Sequence, residues 1–169
     1  MNINQALKEQ WYIQGFNCTP NLIYFGMTSG IVGCNKKVGY GYSAMIHVFK
    51  NDYNDYHYDV KDHQLTVLWG HEFSDEEILQ YFTYPWIKDA GFLVVLTAVF
   101  DRTTMKYGDR GYRYILLEAG HIGQNLVNTS TLLNLKVCPL GGTRDEALET
   151  LLCIDGITES VVYGLAIGK

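Results

Sequence analysis

The sequence predicts an α+β fold, a mixed sheet flanked by helices, within one domain. Three observations carry that reading. The run FLVVLTAVF, residues 92–100, is unbroken in its apolar and β-branched character, the pattern of a central strand covered on both faces. Ile115, Leu116, Ala119, Ile122, Leu126 and Val127 recur at helical spacing between about Gly111 and Leu133. The order that results is strand, long helix, strand, helix, strand, which packs helices on a sheet. A chain of 169 residues suits one such domain and buries a sizeable core.

Taken in order, Asn4 is placed to cap a short helix through about Tyr12. The glycine- and turn-rich stretch that follows, to about residue 40, reads as irregular loop with one strand at most. Residues 42–50 (YSAMIHVFK) are β-branched and aromatic with partial alternation and predict a strand. NDYND is a turn, YHYDV a second strand, KDH a turn, and QLTVLW (64–69) a third strand, together a meander. Ser74 with Glu77 forms a capping box that opens the helix SDEEILQYF, which Pro85 stops. After the strand at 92–100, DRTTMKYGD reads as a polar loop before the long helix. KVCPLGG predicts a short strand and a tight glycine turn. Thr143 with Glu146 is a second capping box, opening TRDEALETLL, and SVVYGLAI (160–167) predicts a buried closing strand.

Composition narrows the function classes. Hydrophobic residues make up 47% and charged residues 18%, which excludes a disordered chain. The net charge is −5 and the closest basic cluster is Lys36-Lys37, so no basic stripe exists to neutralise a nucleic-acid backbone. No apolar run approaches the ~18 residues of a membrane span, and MNINQALKEQWY lacks the basic-then-apolar order of a secretory signal. Cys18, Cys34, Cys138 and Cys153 are widely spaced, as expected of reduced thiols in the cytoplasm. His57, Asp59, Asp62 and His63 crowd one hairpin without a recognised ligand spacing, so no metal site is expected.

The segment KYGDRGYRYILLEAGHIGQNL (106–126) resembles the stretch that marks the azoline dehydrogenases of azole-forming peptide synthetases, a branch of the nitroreductase-like FMN flavoproteins. CPLGGTRDEALETLLCIDGITESVVYGLAIG is similar to the closing half of the same family, and DYHYDVKDHQL to its short hairpin. The likeness runs from about residue 45 to 168. It implies a nitroreductase-like sheet, an FMN cofactor bound where two subunits meet, and a homodimer or a hetero-oligomer with other peptide-modifying subunits. The implied reaction oxidises a thiazoline or oxazoline ring in a ribosomally made peptide: a base removes the ring proton next to the carbonyl, and a hydride leaves for the flavin.

On this resemblance Lys106 and Tyr107 are the catalytic pair. An ammonium beside a phenol is a coherent acid/base unit, although two such residues in a polar loop equally read as surface. Pro139, Leu140, Gly141 and Gly142 would face the flavin ring through open backbone; otherwise Gly141-Gly142 is only a turn between strand and helix. Gln124 and Asn125 would contact flavin or partner, or be satisfied core amides. His121 reads as a buried, hydrogen-bonded histidine, and Arg110, Arg113 and Glu118 as structural ion pairs.

The family's opening arginine-serine-arginine motif, which holds the FMN phosphate, has no counterpart. The four arginines are Arg102, Arg110, Arg113 and Arg144. Residues 1–40 are therefore expected to be a divergent segment, or a truncation, ahead of a flavin domain at 41–169. Lys8, Lys36, Lys37 and above all Lys169 are the candidate substitutes. Three functions stand: an active FMN dehydrogenase, a flavin-poor structural or docking subunit, and another FMN oxidoreductase such as a peptide oxidase.

Overall fold

The structure is a computed structural model in which residues 44–50, 54–59, 64–70 and 73–168 are described. The segment 1–40, Asp62, His63 and Lys169 lie outside those residues.

Six strands form one sheet in the order β3-β2-β1-β4-β6-β5. They are β1 (Ala44–Lys50), β2 (Asn54–Asp59), β3 (Gln64–Gly70), β4 (Phe92–Val99), β5 (Lys136–Leu140) and β6 (Glu159–Gly168). Every pairing among them is antiparallel, so the mixed character of the fold lies in helix with sheet and not in strand direction. The first three strands are the expected meander. Against β4 the register runs Ala44↔Ala98 to Lys50↔Phe92 on one side and Phe92↔Ile167 to Val99↔Glu159 on the other.

The position of β4 explains its composition. Val94 and Leu96 point to one face, where they pack with Ala119, Ile122, Leu165 and Ile167. Leu93 and Val95 point to the other, among Phe82, Ile87, Leu140, Leu148 and Ala166. A strand with two dry faces cannot alternate with polar residues. The helix α3 (Arg110–Leu132) covers the first face, burying Ile115, Ala119 and Ile122. The short helices α1 (Asp75–Tyr81) and α4 (Asp145–Leu151) serve the second, with a 3₁₀ turn at Pro85–Asp89.

The Ser74 capping box forms as expected: Glu77 N–H donates to Ser74 Oγ at 3.2 Å, and Ser74 N–H to Glu77 Oε2 at 2.7 Å. Three local expectations change. The helix it opens ends at Tyr81, ahead of Pro85, and Pro85 instead starts the 3₁₀ turn, where a missing N–H costs nothing. Residues 101–107 are not a loop but a helix, α2 (Asp101–Tyr107), begun by Thr103 and Thr104 N–H groups on Phe100 C=O. The second capping box does not form. Thr143 is held extended by a bridge to Phe82, its hydroxyl donates to Asp145 Oδ1 at 2.6 Å, and α4 begins after Arg144 with no side-chain cap.

α2 lies tightly on α3 because Gly111 has no side chain: a Cβ there would sit 2.8 Å from Thr104 Cα. Gly111→Val is expected to cost about 1–3 kcal/mol by overpacking, read as a lower denaturant midpoint with an unchanged m-value.

Candidate functional site

Lys106 and Tyr107 occupy the last turn of α2, which Gly108 ends at φ +57°. Lys106 is exposed and Tyr107 half-buried. The Lys106 Nζ lies 5.1 Å from the centre of the Tyr107 ring, a cation–π approach. Tyr107 in turn meets Tyr114 of α3 edge-on, with centroids 5.3 Å apart at 86°. The two residues are thus neighbours, and the second ring fixes the orientation of the first. The pair sets one cation beside one phenol ring on the surface of α2.

The glycine bend follows β5. Leu140 is buried in the core opposite Gly164, so its side chain faces away from any ligand, while Pro139 is exposed on the edge strand. The bend is clasped by the segment after α1. Gly142 C=O accepts from Thr83 N–H at 2.9 Å and from Thr83 Oγ1 at 2.8 Å, and Arg144 N–H donates to Tyr81 C=O at 2.9 Å. A Cβ on Gly142 would collide with Thr83 Oγ1 and lie 2.9 Å from the Tyr84 ring. Gly142 therefore has a packing role of its own. Gly141 differs: it is exposed, and a Cβ there would meet nothing within 4 Å. Its backbone is open to a flat ring, which is the property that a flavin seat needs.

The phosphate end fits less well. Arg144 lines an open groove of about 520 Å³ between α1 and α4, but Asp145 and Glu146 line it too, and two carboxylates offset one guanidinium against a dianion. No second arginine stands beside the bend among the described residues; Arg102, Arg110 and Arg113 lie on α2 and α3.

No hydrogen bond or ring contact joins the dyad to the bend among the described residues. The bend is level with Gly164, which pairs with Val95, whereas α2 begins beyond Val99. From the bend to the start of α2 is roughly 13 Å along the strands and two strand spacings, ~10 Å, across them; the dyad sits at the other end of that helix.

The other sequence candidates fall on α3. Gln124 and Asn125 are exposed, and Gln124 Nε2 donates to Asn128 Oδ1 at 2.9 Å. His121 is exposed, not buried, because the inward positions of this helix are 115, 118, 119, 122 and 123. The expected ion pairs are absent among the described residues: Arg110 and Arg113 are exposed, while Glu118 is buried. Burial pushes the Glu118 carboxyl up to about 7.

Sequence reading passed over Tyr84 and Trp86, which stack at 5.7 Å and 24° beside the bend. The triplet Tyr84-Pro85-Trp86, two aromatics about a rigid residue, was the available signal. Among the described residues no group of His, Cys, Asp and Glu is placed to hold a metal, and no helix is long and apolar enough to cross a membrane.

The description of the Nitroreductase family matches residues 35–169. A nitroreductase-like protein of Methanocaldococcus jannaschii is 31% identical over 99 residues, 59% of this chain and 50% of that protein. A nitroreductase-like structure from Anabaena variabilis superposes with a TM-score of 0.73 at 22% identity, over 99% of this chain and 36% of that one. A chain from the Escherichia coli microcin synthetase McbBCD complex, with truncated pro-MccB17 bound, gives 0.66 at 19% identity, over 89% of this chain and 62% of that one. The chain thus spans about half the length of the curated relative that it matches. The structural likenesses establish the fold.

Proposed function

Because the chain belongs to the nitroreductase family, we propose that it is an FMN-dependent oxidoreductase that dehydrogenates thiazoline or oxazoline rings in a ribosomally made peptide. It works in the cytoplasm, as a homodimer or with other peptide-modifying subunits. The observation that carries this reading is the Lys106 ammonium 5.1 Å from the Tyr107 ring, inside the segment 106–126 that resembles azoline dehydrogenases. The likeness in fold to a microcin synthetase chain supports it.

When bound, FMN supplies the hydride acceptor. Gly141 would hold its ring through open backbone, and Lys106 with Tyr107 would take the proton from the substrate carbon next to the carbonyl. That no hydrogen bond or ring contact joins dyad and bend among the described residues is in keeping with a site completed across two subunits. Met105, Tyr112, Leu116 and Leu117, all exposed on α2 and α3 near the dyad, suit such a contact.

A second reading, a flavin-poor docking subunit, is favoured by one observation: no arginine precedes Arg102, and Arg144 shares its groove with two carboxylates. The visible spectrum of the purified chain, alone and with its partner subunits, separates the two. Flavin absorbance with conversion of a synthetic azoline peptide to the azole supports the enzyme; a colourless assembly defeats it. Gly141→Val tests the seat itself. Its Cβ enters open space, so stability is expected to stay within about 0.5 kcal/mol while flavin content falls. Full flavin content in that variant contradicts the placement.

A further inference from the structure

We infer that Tyr84 and Trp86 form an aromatic wall of the flavin seat, receiving the isoalloxazine ring beside Gly141 and Gly142; this rests on the FMN reading above.

The two rings are stacked, yet they remain 37% and 42% exposed in a chain whose other large apolar side chains around them, Phe82 and Ile87, are 2% and 1% exposed. Leaving two large aromatics in water forgoes hydrophobic stabilisation that a flat apolar occupant would restore. The backbone that presents them is fixed from both sides. Thr83 makes two hydrogen bonds to Gly142 C=O, Phe82 bridges Thr143, and Pro85 opens the 3₁₀ turn whose Ile87 is anchored in the core. A wall already ordered loses little entropy when a ligand arrives.

The wall is also continuous with the bend, since Tyr84 ring atoms lie within 3.0 Å of the point where a Gly142 Cβ would stand. Gly142 is then small for two reasons at once: it admits Thr83, and it leaves the aromatic pair level with the backbone of the seat. The one cation on the turn, Lys88, is directed at Asp75, Nζ to Oδ2 at 3.9 Å. A planar tricyclic ring matches the stacked aromatic pair better than a charged peptide segment does.

The test is a titration of the full chain with riboflavin, which has the ring but no phosphate, followed by the quenching of flavin fluorescence. Tyr84→Ala and Trp86→Ala are each expected to weaken riboflavin binding about tenfold and to restore fluorescence, as loss of an aromatic stacking partner does. Tyr84→Phe, which keeps the ring, is expected to bind as the parent chain does. Circular dichroism of each variant confirms that the fold is retained. Unchanged affinity and quenching in both alanine variants, with riboflavin bound by the parent chain, overturn the wall and leave the FMN reading standing. A parent chain that takes up neither FMN nor riboflavin overturns both.

Discussion

Glu118→Gln is expected to stabilise the fold by about 3 kcal/mol near pH 8 and to change it little near pH 4.5. The Glu118 side chain is 8% exposed and has no hydrogen bond or ion pair among the described residues. Its surroundings cannot solvate a charge, so its carboxyl is raised from 4.5 to about 7. Below pH 4.5 both folded and unfolded chains hold the proton and nothing depends on pH. Between 4.5 and about 7 the unfolded chain releases it while the folded chain keeps it. The folded state then binds more protons, and stability falls as pH rises. Above 7 both are ionised and the full penalty of a buried, unpaired carboxylate remains. Glutamine keeps the shape and removes the charge. Denaturant unfolding of both chains at the two pH values reads the difference, and equal stabilities near pH 8 would show that Glu118 is solvated or paired in solution.

The second large effect is chemical. Lys106→Ala and Tyr107→Phe are each expected to slow azole formation by about 10²–10⁴-fold, the usual worth of a proton-transfer group, with flavin content unchanged. The double variant is expected to be little slower than either single one, because the two side chains act as one unit. Mass spectrometry of an azoline peptide follows the loss of two hydrogens. Undiminished turnover in either variant removes the pair from the mechanism, whereas loss of flavin together with turnover assigns it to binding.

How far these features could be read in the sequence depended on how many forces acted in one direction at each residue. Residues 92–99 were legible because burial on both faces of β4 demands the same residue types at every position. The long helix was legible because Ile115, Ala119 and Ile122 repeat toward one face. The helix at 101–107 was not, because only Thr103 is buried on it; its stability comes from lying on Gly111, a contact that no periodicity records. Thr143 and Glu146 have the spacing of a capping box, but tertiary pairing with Phe82 takes the backbone elsewhere. On α3 the ordinary preference is reversed: a carboxylate lies inside and a histidine outside. Of the candidate site, what the sequence displays is the residue types at 106–107 and 139–142, whose roles stand as proposals. Their separation and the aromatic pair were not legible, since both depend on where the sheet sets distant segments.

The clasp between residues 81–84 and 142–144 has a structural consequence. Thr83 and Gly142 are 59 positions apart, and β4, α2, α3 and β5 all lie between them. Closing so long an intervening stretch carries an entropic cost that only the finished sheet repays. The shape of the bend is therefore set by packing between distant segments and not by its own local sequence, so damage to the sheet far from Gly142 is transmitted to it.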